Sequence, residues 1–292
     1  MGPKDRANRL GICSTCDHME LCTSRKNWIG PVFHCEEFEN RGAAAPDRAV
    51  EAQSFAAGDT VDVAAAMASC GYDWLFIDLE HGTMPLDTAV QIAVAALSAG
   101  ITPLVRVPSQ HYAMATRALD GGALGVVMPH VDTAEEARVV VDRLKYPPLG
   151  HRSVAGGMPY FGFRPLPMGE ATTAMNAETL VVVMLETPQA IANADAIAAI
   201  DGVDVLLVGT NDLVMEMGFP GQVGHAEVAH AYERVIAACR KHGKWPGMGG
   251  VYVEELMAKY IALGMRMILS GNDLGMMMAG ATQRAKFLRE RQ

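Results

Sequence analysis

From about residue 49 onward, short apolar runs alternate with longer alanine-rich stretches of helical spacing. The run at 74–77, Trp-Leu-Phe-Ile, is apolar at four consecutive positions, the pattern of a strand covered on both faces. Similar runs predict strands at 102–107, 125–131, 180–186, 203–209, 245–251 and 265–270, with a weaker one, poor in β-branched residues, at 49–57. Helices are predicted over 61–69, 86–99, 110–121, 133–145, 225–242, 253–263 and 272–289, with one more starting at Thr187-Pro188. Local signals support these limits. Gly71 and Gly100 follow the first two helices, Thr133 is an N-cap with Glu135 and Glu136 at the positive end, and Pro188 suits a first helical position. Residues 146–178 break the rhythm: Pro147-Pro148, Gly150 and Gly156-Gly157 predict a long loop with a short helix, and such loops are usually functional or mobile.

Eight strand–helix units of this length fit an α/β fold, a closed (β/α)8 TIM barrel over residues 46–292; an open doubly wound sheet is the alternative. Residues 1–45 differ. Cys13, Cys16, Cys22 and Cys35 lie in a segment too short for a core of its own, and 41–47 reads as a linker. Clustered cysteines in a reducing compartment point to metal, either structural zinc or an iron–sulfur cluster. Cys70 and Cys239, in helical surroundings, read as buried thiols.

Charge and composition narrow the function. A net charge of −9 argues against nucleic acid or an anionic membrane surface as partner. The polar N-terminus and the lack of a long apolar run fit a cytoplasmic protein with no membrane association. No strand is followed by Gly-x-Gly-x-x-Gly or a Walker loop, so nucleotide binding has no support.

In a barrel the chemistry collects at the C-terminal strand ends. The second strand brings Asp78, Glu80 and His81 there, the third Arg106, the fifth Glu186, and the sixth Gly209-Thr210-Asn211-Asp212. Neighbouring strands lie about 4.8 Å apart, so Glu186 and Asp212 converge and repel unless one is protonated or a cation lies between them. Oxygen-only ligation selects Mg2+ or Mn2+, with Co2+ a further option. Arg106 suits a substrate carboxylate or a developing enolate, or else an ion pair with Asp78 or Glu80. His81 is the natural general base, with Asp78 or Asp120 to orient it.

Several stretches, in order, carry a resemblance: Tyr72-Asp-Trp-Leu-Phe-Ile-Asp-Leu-Glu-His-Gly82, Leu104-Val-Arg-Val107, Leu119-Asp-Gly-Gly-Ala123, Lys145-Tyr-Pro-Pro-Leu-Gly-His-Arg152, Leu185-Glu-Thr187 and Gly202-Val-Asp-Val-Leu-Leu-Val-Gly-Thr-Asn-Asp-Leu213. Over about residues 55–290 the chain resembles the HpcH/HpaI aldolases, class II metal-dependent 2-oxo acid aldolases. The resemblance implies that Glu186 and Asp212 hold a divalent metal chelated by a pyruvate-like group, that Arg106 stabilises the enolate, and that His81 acts as base. Asp78 and Asp120 would tune His81, the latter from a neighbouring subunit. It also implies a homo-oligomer, with dimers joined through the last helix and assembled into hexamers. Three features depart from the family pattern: Met184 stands where a substrate-contacting Gln is usual, Gly209-Thr-Asn-Asp-Leu-Val214 replaces Gly-Pro-x-Asp-Leu-Ser, and the cysteine-rich segment is extra. Gly209, Thr210, Asn211 and Met184 would line the substrate site. The expected activity is cleavage or formation of a 4-hydroxy-2-oxo acid, giving pyruvate or a close analogue plus an aldehyde. The alternatives are oxaloacetate decarboxylation, an acyl-CoA lyase, or a non-catalytic scaffold carrying a four-cysteine metal or redox module.

Overall fold

The computed structural model of the chain describes residues 50–55 and 61–291. Its parallel strands are β1 (Val50–Phe55), β2 (Trp74–Asp78), β3 (Thr102–Arg106), β4 (Gly125–Met128), β5 (Leu180–Leu185), β6 (Val205–Gly209), β7 (Trp245–Gly249) and β8 (Met267–Asn272). They pair in sequence order and β8 returns to β1, which closes the barrel and removes the open-sheet alternative. The cysteines expected to hold a second metal, Cys13, Cys16, Cys22 and Cys35, lie outside the described residues. No helix among the described residues is long and apolar enough to cross a membrane.

Strand periodicity explains where the core sits. Alternate positions on adjacent strands, Trp74 and Phe76, Leu104, Val182 and Met184, Leu207 and Leu269, form one buried cluster that fills the barrel. The intervening residues, such as Leu75, Ile77, Val105, Val183, Leu206 and Val208, join a larger cluster with the surrounding helices. Both strand faces are buried, which is why the strands read as continuous apolar runs.

The helices α1 (Asp62–Cys70), α2 (Leu86–Ala99), α3 (Tyr112–Asp120) and α4 (Ala134–Leu144) follow the first four strands. Thr133 and Glu136 form a capping box at the start of α4. Cys70, read as buried, is exposed, because it occupies the last turn of α1, whose one buried residue is Ala64; Cys239 is buried as expected. The 146–178 excursion carries more structure than its loop signals suggested: a 3-10 turn at Pro159–Phe161 and the eleven-residue α5 (Met168–Glu178). Its two ends are tied together. Asn176 accepts from the Tyr146 backbone N–H at 2.7 Å and donates to its carbonyl at 2.9 Å. The buried Lys145 ammonium donates to the carbonyls of Asn176 and Thr179 at the end of α5.

After β5 the expected single helix is split at Asn193 into α6 (Pro188–Ala192) and α7 (Ala194–Ala198). The Asn193 amide donates to the Asp132 carbonyl at 2.7 Å, anchoring the break. A short helix, α8 (Thr210–Glu216), follows β6 directly, before α9 (Ala226–His242), α10 (Glu254–Leu263) and α11 (Asp273–Arg289).

Candidate active site

The side chains that fill the barrel continue, two residues further on, into polar ones. Trp74 and Phe76 lead to Asp78, Leu104 to Arg106, Val182 and Met184 to Glu186, and Leu207 to Gly209. These ends border a cavity of about 250 Å³ whose lining includes Arg106, Glu186, Asp212, His81, Asn211 and Tyr252. Gly209, Thr210 and Met184 line it as well. The strand ends therefore bring together most of the residues expected from the sequence.

Arg106 organises one wall. Its Nε and Nη2 donate to the two Asp78 oxygens at 2.9 and 2.5 Å, and Nη1 lies 3.1 Å from Glu80 Oε2. The guanidinium also stands over the Phe76 ring, 5.1 Å from its centroid, and Nη1 touches the Met184 sulfur at 3.9 Å. Burial alone would lower the Arg106 pKa, but the hydrogen bond and charge of Asp78, with Glu80 and Glu186 behind it, raise it above its ordinary value. Arg106 is thus a permanently charged group fixed by a two-point fork.

Asp78 is consumed by that fork and by two backbone N–H groups, those of Glu80 at 3.0 Å and His81 at 3.3 Å. It shapes the turn carrying His81 and makes no bond to the imidazole. The His81 ring is 69% exposed, with Glu80 the nearest carboxylate at 4.0 Å. Asp120 lies elsewhere in the same chain. It ends α3 and accepts from Arg152 Nη2 at 2.6 Å, and it is not among the cavity's lining residues. Thr210 lines the cavity, but its hydroxyl is shared with the buried Tyr232 at 2.6 Å and is not free to meet a ligand.

Glu186 is 1% exposed. Burial pushes its carboxyl up to about 7; the backbone bond and charge of His130 pull the other way, and Asp212 and Glu80 add to the rise. Gly209 permits this placement, because a Cβ there would lie 2.6 Å from both Cγ and Oε1 of Glu186. Asp212 sits in the first turn of α8, where a carboxylate is favoured by the unpaired N–H groups.

The donor set fits a divalent cation. Asp78, Glu80, Glu186 and Asp212 crowd one strand-end region, and Arg106 is the one permanent cation bonded among them. Asp78 and Glu80 are satisfied by Arg106, which leaves Glu186 and Asp212 with excess negative charge at the cavity wall. Among the described residues no three His, Cys, Asp or Glu side chains form a closed metal cage. Two carboxylates with open positions match a magnesium-type site completed by water and substrate.

One residue absent from the sequence reading belongs here. His130, after β4, donates its backbone N–H to Glu186 Oε2 at 2.8 Å and holds its ring Nδ1 3.2 Å from the same oxygen. No motif marked it: the strand predicted over 125–131 took His130 in as a strand residue, whereas β4 ends at Met128.

Comparison with known proteins bears on what this site does. The family description HpcH/HpaI aldolase/citrate lyase matches residues 52–279. A 4-hydroxy-4-methyl-2-oxoglutarate aldolase of Chaetomium globosum is 44% identical over 218 residues, 73% of this chain and 81% of its own length. A 4-hydroxy-2-oxovalerate aldolase of Rhodococcus jostii is 38% identical over 208 residues, covering 70% of this chain and 79% of that protein. The crystal structure of an HpcH/HpaI aldolase from Desulfitobacterium hafniense superposes with a TM-score of 0.79 at 29% identity, covering 84% of this chain and 94% of that one. The chain belongs to the HpcH/HpaI aldolase/citrate lyase family and is an enzyme of its aldolase class.

Proposed function

We propose that the protein is a divalent-metal-dependent aldolase that cleaves a 4-hydroxy-2-oxo acid to pyruvate, or a close analogue, and a carbonyl product, and catalyses the reverse addition. The observation that carries this reading is that Glu186 and Asp212 line one cavity together with the fixed guanidinium of Arg106. A 4-hydroxy-4-methyl-2-oxoglutarate-like substrate is favoured by the 44% identity to the Chaetomium enzyme of that name.

Glu186 and Asp212 would hold the ion, with Mg2+ or Mn2+ suited to two oxygen ligands. When bound, the ion supplies Lewis-acid polarisation of a 2-oxo group. The chain's own residues do the rest. Arg106, preset by Asp78 and Glu80, faces the oxygen on which negative charge grows as the C3–C4 bond breaks. His81 takes the proton from the 4-hydroxyl, so the C4 oxygen becomes a carbonyl while the bonding pair moves into the enolate. A proton delivered to C3 then completes pyruvate. The exposure of His81 fits a base that meets substrate at the cavity mouth. Met184 cannot donate a hydrogen bond, so recognition of the 2-oxo acid falls to Arg106 and to the first-turn N–H groups of α8 beside Thr210 and Asn211.

We also propose a homo-oligomer. Among the described residues none of the seventeen of α11 is fully buried, and Leu274, Met276, Met277, Met278, Phe287 and Leu288 are 43–63% exposed. Leu274, Met277, Met278 and Leu288 fall on one side of the helix, and an exposed apolar stripe of that kind suits burial against another copy. Asp120 stands outside its own chain's cavity, 28% exposed and bonded to the almost fully buried Arg152, and in such an assembly it would serve a neighbouring copy's site.

The catalytic reading is tested by following pyruvate release from racemic 4-hydroxy-4-methyl-2-oxoglutarate, with oxaloacetate as a second substrate. Turnover that is lost with EDTA and restored by Mn2+ or Mg2+ is expected on the aldol. Turnover on oxaloacetate alone would assign a decarboxylase, and turnover insensitive to EDTA would contradict the metal site.

A further inference from the structure

His130 sits at an irregularity in the barrel. Met128 of β4 pairs with Val183 of β5. If that register continued, His130 would face Leu185 and its N–H would reach the Met184 carbonyl. That offset is seen elsewhere in the barrel, where Val107, next after the Arg106–Val127 pair, donates to Val127. Val131 instead donates to the Met184 carbonyl at 3.1 Å. The β4 side therefore carries one extra residue, a bulge at the strand end. His130 lies inside it and takes φ of +54°, a left-handed conformation that is uncommon for a residue with a side chain.

The bulge turns both donors of one residue toward one carboxylate. The His130 backbone N–H and ring Nδ1 meet Glu186 Oε2 at 2.8 and 3.2 Å, and ring Nε2 lies 3.7 Å from Glu80 Oε1. Oε1 of Glu186 is left on the Gly209 side, where a Cβ would be 2.6 Å away. The imidazole thus bridges Glu186 and the Glu80 carboxylate that Arg106 holds.

We propose that His130 is a positioning residue for this site: its left-handed bulge fixes the rotamer of Glu186 through Oε2 and leaves Oε1 for the divalent ion. The inference deepens the metal-dependent reading and rests on it for its effect on ion affinity. The contact itself does not depend on an ion. Above about pH 7, where Glu186 is ionised, the Nδ1 contact requires the Nδ1–H tautomer of His130, since an unprotonated Nδ1 would repel Oε2.

The strain makes the side chain testable separately from the backbone. Asparagine accepts positive φ better than other side-chain-bearing residues and carries an amide N–H near the position of Nδ1. Glycine accepts the conformation and keeps the backbone N–H but removes the ring. The experiment titrates the purified full chain with Mn2+ alone, read by the EPR signal of the free ion, for wild type, Glu186→Ala, His130→Gly and His130→Asn. Loss of an outer ligand-orienting contact typically weakens metal binding about 10–100-fold. We expect His130→Gly to fall in that range and His130→Asn to recover most of it. Wild-type affinity in His130→Gly, or equal losses in the two variants, would overturn the proposal. A second readout needs no metal: the side-chain 15N shifts of histidine-labelled protein with EDTA present at a pH about one unit above 7, where Glu186 is ionised. His130 should show a protonated Nδ1 in wild type and lose that state in Glu186→Ala. If wild type bound no Mn2+ but the tautomer shift appeared, the metal reading would fail and the positioning contact would stand. An unprotonated Nδ1 in wild type would overturn the contact whatever the metal data.

Discussion

A nearly buried carboxyl, Glu186, with a second acid near it responds to pH in two linked ways. In the metal-free protein the Glu186 pKa lies at about 7, raised by burial from an ordinary 4.5. Between those values the folded state holds a proton that the unfolded chain has lost, so folding stability falls as pH rises through that window. A divalent ion needs the ionised carboxylate and must displace the proton, so its affinity rises with pH up to about 7 and then levels off. Thermal melts with EDTA should decline from pH about 5 to about 7, and Mn2+ should remove the decline by stabilising the ionised form. A melting temperature flat over that range without metal would contradict the placement of Glu186. At this scale much was legible in the sequence. Asp78, Arg106 and Glu186 each stand two positions beyond a barrel-filling residue, so strand periodicity alone aims them inward. His130 was not legible, because it sits in an extra residue that breaks that same periodicity. For Asp78 the sequence left two partners open, the Arg106 ion pair and the His81 ring; the choice of Arg106 depends on the β2–β3 register, which places Asp78 opposite Arg106.

Elements set the distances that local sequence does not contain. The junction of β6 and α8 passes so close to Glu186 that Gly209 is the residue that fits. Gly209 has an ordinary φ of −83°, so Gly209→Ala leaves the backbone unstrained and acts on Glu186 alone. We expect that variant to keep its fold by circular dichroism while Mn2+ affinity drops about tenfold or more, as displaced ligand-shell groups do. Unchanged Mn2+ binding would mean that Glu186 has room to move and is not held for a ligand. The alternation of strands and helices was readable from apolar runs and caps, because both strand faces are buried and Thr133, Thr187 and the closing glycines mark the ends. The α8 helix was not, since its seven residues open with Thr210-Asn211-Asp212, which read as a turn. In the 146–178 excursion, α5 buries just Ala171 and Met175 and so has little apolar face to announce it.

The described residues combine a closed barrel, an acidic strand-end cavity and a last helix, α11, with an exposed apolar stripe. That stripe, exposed among the described residues, predicts self-association. Light scattering should give a mass above the 31.2 kDa of one chain, and a Met277→Glu, Phe287→Glu double variant should lower it. A wild-type monomer would remove the oligomer proposal without touching the chemistry of the cavity. The central claim is that this cavity makes and stabilises a pyruvate enolate. Its most direct test is exchange of the pyruvate methyl protons with deuterium, followed by proton NMR with Mg2+ present and no aldehyde added. Exchange should require both protein and metal, vanish with EDTA, and slow about 100–1000-fold in Arg106→Ala, the usual cost of losing a charge-stabilising contact. Exchange no faster than in buffer with Mg2+, or an Arg106→Ala rate equal to wild type, would contradict the account.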